Sequence, residues 1–142
     1  MKESVFELIR QAEILNNESI IRFMNLFSGN LSVSHCLVLN ELKEKGPQKP
    51  SELARKLNYT PGALTGISTK LINEGYAVRQ YDKADRRIAR ISITEAGIDI
   101  LKIAQKAGHE LRADLYSVLS DEEINQLLVI QKKLLNHLLS KK

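Results

Sequence analysis

The segment "YDKADRRIARISIT", Tyr81 to Thr94, sets Arg86, Arg87 and Arg90 just behind Asp82 and Asp85, with Lys83 between the two acids. Guanidinium groups gathered near one turn have a familiar chemistry: they bind phosphate oxygens. The alternative is structural, a surface ion pair that only stabilises the turn.

A second group lies upstream, in "NYTPGALTGISTKLINEGY". Thr60 suits an N-cap, Pro61 the first helical position and Gly75 a C-terminal stop. At about 100° per residue, Leu64, Ile67, Ser68 and Leu71 share one side. Gly62, Thr65, Gly66, Thr69, Lys70 and Asn73 fall on the other. That outward side is polar, small and almost free of acidic residues, as close approach to a nucleic-acid groove requires.

Charge follows the same geography. The chain of 142 residues has a formal net charge of +4. From Glu41 to Arg90 it holds 11 Lys/Arg against 6 Asp/Glu, whereas the two flanks together hold 10 against 11. A basic segment between near-neutral flanks is what a polyanion-binding module in a scaffold would show; a solvated basic surface would look the same.

The rest of the chain must position these groups. Val5, Leu8, Ile9, Ala12 and Leu15, then Ile20, Phe23, Met24 and Phe27, recur at helical spacing and predict one amphipathic helix with a kink near Asn16-Asn17, ended by Ser28-Gly29-Asn30. Ser32 or Ser34 can cap a second helix carrying Cys36, Leu37, Leu39 and Leu42 and stopped at Gly46-Pro47. Pro50 suits the first turn of a short third helix with Leu53, Ala54 and Leu57 inside. Alternation from Tyr76 to Tyr81 and from Ile88 to Ile93, joined by the charged loop 82–87, predicts a hairpin with the arginines at or near its tip. Thr94 caps a helix to about Leu119, with Ile100, Leu101, Ala104, Ala107, Leu111, Leu115 and Val118 as its stripe. "SDEE" at Ser120 to Glu123 has capping-box spacing and opens a last helix with Ile124, Leu127, Leu128, Leu134, Leu135, Leu138 and Leu139 as its stripe.

Length and a hydrophobic content of 43% suffice for one domain with one modest core. There is no apolar run of the roughly 18 residues a membrane span needs, and the N-terminal segment is not signal-like, so a soluble, cytoplasmic protein without membrane contact is expected. Cys36 is the only cysteine, which rules out a disulfide within the chain and a multi-cysteine zinc cluster. Core packing as a small hydrophobe is the expectation for it.

A short helix, a tight turn and a second helix with a polar outer face describe a helix-turn-helix, and a basic-tipped hairpin directly after it is a wing. The expected fold is therefore mainly α with a small β-hairpin: a winged helix-turn-helix lobe at 31–94, between helical dimerisation segments at 1–30 and 95–142, in a single domain of 1–142. The long apolar stripes exceed what a small winged lobe can bury alone, so Val5, Leu8, Ile9, Leu115, Leu127, Leu128, Leu134, Leu135 and Leu138 are expected to meet a second copy. A dimer would then present two reading helices about 34–36 Å apart.

In residues this chain resembles the MarR-type (multiple antibiotic resistance regulator) transcription factors, most sharply from "SVSHCLVLNELKEKGPQKPSELARKL" through "GYAVRQYDKADRRIARISITEAG". The resemblance implies a homodimer on an inverted-repeat operator, with reading helices in successive major grooves, wing arginines in the flanking minor groove, and release by an effector bound between scaffold and winged lobe. It places Asp85 and Arg87 on the wing's aspartate-x-arginine, with Lys83, Arg86 and Arg90 as further wing contacts and Arg87 as the residue inserted into the groove. On the reading helix it points to Thr60, Pro61, Gly62, Ala63, Thr65, Gly66, Thr69 and Lys70. Family members often have arginine where this chain has Pro61, Gly66 and Ala84, so guanine readout there is in doubt and an A·T-leaning operator, met by threonine methyls, is expected. Ser34, His35 and Cys36 are candidates for the effector crevice.

Other classes fare worse. The chain has no glycine-rich phosphate loop after a strand, no nucleophile elbow and no histidine-glutamate metal motif, and no enzyme activity, cofactor or metal is expected. His35, His109 and His137 are far apart and are expected to be surface residues. The remaining alternatives are a non-specific architectural DNA binder and a redox- or metal-responsive regulator. A nucleoid-associated location follows from either DNA-binding role.

Overall fold

The computed structural model describes residues 2–27 and 30–141. Among them run α1 (Glu3–Leu26), α2 (Val33–Lys45), α3 (Pro50–Leu57), α4 (Pro61–Asn73), β1 (Ala77–Tyr81), β2 (Ala89–Ile93), α5 (Glu95–Tyr116) and α6 (Asp121–Ser140). This is the mainly helical order with one antiparallel hairpin that the sequence predicts. By packing, the chain falls into two units, Met1–Gly108 and His109–Lys142, and α5 contributes residues to both. That division concerns proximity within one chain, a different property from the scaffold and reading lobe expected above. No helix among the described residues is long and apolar enough to cross a membrane.

The first unit is organised by one apolar core. Val38, Leu39 and Leu42 of α2, Leu53 of α3, Leu64 and Leu71 of α4, Ile91 of β2 and Leu101 of α5 are all buried to within about a hundredth of their surface. Leu57, Ile67 and Cys36 pack against this cluster half-buried. Burial on this scale is the main stabilising term, about 1.5–3 kcal/mol for each fully buried Leu or Ile. One polar atom breaks the pattern: Ser68 Oγ is buried and has no hydrogen-bond partner among the described residues.

Local punctuation sets the elements. The Ser32 hydroxyl accepts from the His35 amide at 3.4 Å. In return His35 Nδ1 accepts from the Ser32 amide at 3.1 Å and lies 2.6 Å from Ser32 Oγ. This is a capping box in which an imidazole occupies the place of the usual glutamate. Asn58 takes a left-handed conformation (φ 58°) that turns α3 into α4, a geometry asparagine tolerates better than most residues. The hairpin pairs Ala77 with Ile93, Arg79 with Ile91 and Tyr81 with Ala89. Gln48 bridges the other edge of β2, exchanging backbone hydrogen bonds with Ile91 at 3.1 and 2.8 Å.

Several expectations need correction. Each strand begins one residue later than the alternation suggests, because Tyr76 and Ile88 still belong to the turns. Helix α1 runs through Asn16-Asn17 without interruption, and Ser28-Gly29, expected to end it, lie outside the described residues. In α2 the inward place belongs to Val38, while Leu37 is exposed; Val38, Leu39 and Leu42 share the i, i+1, i+4 spacing of one face. Helix α5 ends at Tyr116 rather than Leu119. The chain tightens there into bonds from the Ser117 amide to the Asp114 carbonyl and from the Leu119 amide to the Tyr116 carbonyl, which leaves Val118 83% exposed in the turn. His35 is no free surface residue, since its ring closes a cap.

At the start of α5 the backbone passes so close to Tyr76 that a Cβ on Gly97 would collide with the Tyr76 carbonyl oxygen and come to 2.7 Å from Ile93 Cγ1. Gly97→Ala should therefore lower stability by about 1–3 kcal/mol, since a backbone oxygen cannot swing aside as a side chain can; urea denaturation reads this, and an unchanged midpoint would refute the close approach. A second outcome concerns pH. Burial, and then the charge of Lys70, lower the pKa of His35 below its ordinary 6.5, so the folded state favours the neutral ring that the cap requires. The cap's contribution is full above the unfolded value and is lost as pH falls through the lower folded value. In urea titrations from pH 7.5 to pH 5, His35→Gln, which keeps an acceptor but does not titrate, should remove part of the acid-side loss seen in the wild type.

Candidate nucleic-acid interface

Two surfaces carry the residues singled out by chemistry. The first is the outward face of α4. The Thr60 hydroxyl caps the helix by accepting from the Ala63 amide at 3.1 Å, and Pro61 sits in the first turn, where its missing N–H is no loss. Leu64, Ser68 and Leu71 are buried on the inner side. Thr60, Pro61, Gly62, Ala63, Thr65, Gly66 and Thr69 are all exposed. Lys70 is less outward than the helical wheel implies: it is half-buried, and its charge is felt at His35. Thr65 Oγ1 donates to the Pro61 carbonyl at 2.8 Å.

The second surface is the hairpin turn. The Asp82 carboxylate accepts from the Ala84 amide at 2.8 Å and so begins the turn. Asp85 does the same for the Arg87 amide at 3.0 Å. The Arg87 guanidinium then grips the same carboxylate with both prongs, Nε to Oδ1 and Nη2 to Oδ2, each at 3.0 Å. Arg87 nonetheless remains 91% exposed in its side chain. The fork and the Arg87 amide hold the Asp85 carboxyl below the usual carboxylate range, and the same contact raises Arg87 further. Asp82 is also lowered, first by the Ala84 amide and then by the Asp85 amide and Arg90. Both carboxylates are thus charged wherever the protein meets DNA.

The wing arginines are not equivalent. Arg86 and Lys83 are exposed and make no ion pair among the described residues. Arg90 lies within the predicted second strand, behind the tip: it is the second residue of β2, pairs with Gln80, and lies 3.5 Å from Asp82 with its side chain 40% exposed. The pairing register decides this, because the turn closes at Ile88, whose carbonyl accepts from the Asp82 amide at 2.9 Å.

Ser34, His35 and Cys36 lie together at the start of α2, all half-buried. Burial pushes the Cys36 thiol up, which keeps it protonated and poorly nucleophilic. No group of three or more His, Cys, Asp or Glu among the described residues is placed to hold a metal.

Sequence reasoning missed three contributors. Arg79 and Tyr81 are exposed on β1 beside the turn, and a cation inside an otherwise alternating strand was the available signal for Arg79. Gln48, 96% buried, ties the lobe together: its Nε2 donates to the Glu41 and Gly46 carbonyls and its Oε1 accepts from Lys56 Nζ at 2.8 Å. Nothing in its sequence neighbourhood announces that.

This arrangement has close counterparts. The family model described as MarR family matches residues 31–89, from the start of α2 to the wing. The HTH-type transcriptional regulator PapX of Escherichia coli is 32% identical over 119 residues, covering 84% of this chain and 73% of PapX. The transcriptional repressor MprA of Escherichia coli K12 is 29% identical over 128 residues, covering 90% and 72%. A solved MarR family protein from Bacillus stearothermophilus superposes with a TM-score of 0.81 at 21% identity, over 97% of this chain and 98% of that one, a likeness of fold. With a helix-turn-helix followed by a basic hairpin turn, a MarR family match over that segment and a regulator 32% identical over 84% of the chain, the chain belongs to the MarR family of winged-helix, DNA-binding transcriptional regulators.

Proposed function

We propose that this regulator is a homodimeric repressor that occupies an inverted-repeat operator and is released by a small-molecule effector. The observation that carries the dimer is the apolar surface left on the terminal helices. Val5, Phe6, Leu8 and Ile9 of α1, and Leu128, Leu134, Leu135 and Leu138 of α6, are between 37% and 68% exposed in the single chain. Neither helix buries a single residue. Helices this apolar on one face need a partner surface, and a second copy supplies it by symmetry. Leu115 and Leu127, already half-buried, belong to the same interface.

In this reading α4 enters the major groove with Thr60 to Lys70, and the turn delivers Arg87 to the minor groove while Lys83, Arg86 and Arg90 meet phosphates. Asp85 positions Arg87. Repression by occlusion is favoured by likeness to a relative described as a transcriptional repressor. The effector crevice is assigned to Ser34, His35 and Cys36, whose partial burial next to the cap of α2 would let a ligand act on the helix that backs α4. The site of action is the nucleoid, in the cytoplasm.

Selection of genomic fragments by the purified protein, followed by fluorescence anisotropy on the winning duplex and on random DNA at one salt concentration, tests the function directly. The winner should contain an inverted repeat and bind at least ~10³-fold more tightly than random sequence; comparable affinities would make the protein an architectural binder. Arg87→Ala should weaken operator binding by about 1–3 kcal/mol while leaving the dimer's sedimentation unchanged. Undiminished affinity would return Arg87 to the role of a turn-stabilising ion pair.

A further inference from the structure

We propose that Thr65 reads DNA through its γ-methyl group, which meets a thymine methyl in the major groove, while its hydroxyl serves the helix. The inference rests on α4 being the helix that enters the groove, and it names what that helix recognises. Thr65 is exposed in the second turn of α4, and its hydroxyl proton is already committed to the Pro61 carbonyl at 2.8 Å. Threonine branches at Cβ, so the methyl cannot share the position of the hydroxyl. With the hydroxyl folded back along the helix, the methyl is the group offered to a neighbour.

The surroundings point the same way. Pro61, Gly62 and Gly66 flank Thr65 on the outer face and bring no side-chain donor or acceptor. A Cβ on Gly62 or Gly66 would find no protein atom within 4 Å, so the space over this part of the helix is open to an approaching groove. Thr60, one turn earlier, commits its hydroxyl oxygen to the cap. Guanine is read by a long donor on O6 and N7, and adenine by an amide on N6 and N7; thymine alone presents an apolar group on that edge. The first two turns of this face, from Thr60 to Gly66, offer a methyl and no long donor and so match thymine; Lys70, the one long donor beyond them, is half-buried a turn further on.

The winning duplex of the genomic selection is synthesised with thymine throughout, and again with deoxyuridine at one thymine of each half-site at a time, which deletes only the C5 methyl. Anisotropy titrations at fixed salt should reveal a position at which this deletion weakens binding by about fourfold per half-site, the factor expected for burying one methyl. Thr65→Ser, which keeps the hydroxyl and removes the methyl, should lose a similar factor on the thymine duplex and nothing further on the deoxyuridine duplex. Thr65→Val, which keeps the methyl, should stay within about twofold of the wild type. Thermal melts of each variant separate contact loss from unfolding. If no deoxyuridine position matters, or if Thr65→Val loses as much as Thr65→Ser, the methyl contact is overturned while the regulator reading stands. If the wild type binds selected and random duplexes alike, the functional proposal is overturned and this inference goes with it.

Discussion

Four segments of the chain meet at one threonine, and the geometry of the DNA-binding lobe depends on that meeting. Thr94 Oγ1 donates to the Gly75 carbonyl at 2.7 Å and accepts from the Gly97 amide at 3.0 Å, while its own amide donates to the Tyr76 carbonyl at 3.1 Å. Gly75 closes α4 in a left-handed conformation, φ 82°, that a β-carbon would strain. Tyr76 leads into β1, Ile93 ends β2, and Gly97 lies in the first turn of α5 against both. The end of the reading helix, both ends of the hairpin and the start of the long helix are thereby fixed to one another.

On that base the two aspartates of the turn act differently. Asp82 makes the turn and retains Arg90 in the strand; Asp85 holds Arg87 outward by a two-pronged contact. Exposed ion pairs of this kind add little to stability. Their effect is on geometry, since a side chain already confined to one rotamer loses less entropy when it binds. The fork uses two of the five guanidinium donors and leaves three uncommitted to Asp85. Arg86 makes no such contact among the described residues, so the turn presents one held cation and one unpaired one side by side.

What could be read in the sequence was what local geometry decides. Thr60, Pro61, Gly75, Thr94 and Ser120 cap, open or stop elements where the sequence places them, because a cap depends on residues no more than four apart. Helix α4 could be oriented from the spacing of its apolar residues alone, and the wing signature located Asp85 and Arg87. The rest depends on contacts across the chain. Gln48 has partners on α2, α3 and β2 that no window of sequence brings together. Arg90 already lay in the alternating run, but its partner Gln80 could be named only once the register was known. Val38 and Leu37 are equally apolar, and only the packing of α2 distinguishes them. Whether the faces of α1 and α6 close on a second copy is likewise a property of two chains.

The composition of α4 is the clearest case of a local rule set aside. Gly62 and Gly66 each cost about 1 kcal/mol relative to alanine in a helix, and Thr65, Ile67, Thr69 and Ile72 are branched residues that lose side-chain freedom there. The glycines answer no internal need, since their neighbourhoods are open and neither has a positive φ. Helix α4 is held instead by its cap, by Pro61, and by Leu64 and Leu71, both fully buried. On the inner face the helix even carries Ser68, whose buried hydroxyl has no hydrogen-bond partner among the described residues. A helix shaped only for its own stability would carry alanine, leucine, glutamate or lysine outward. Stability has been given up on the face where Gly62 and Gly66 meet no protein atom.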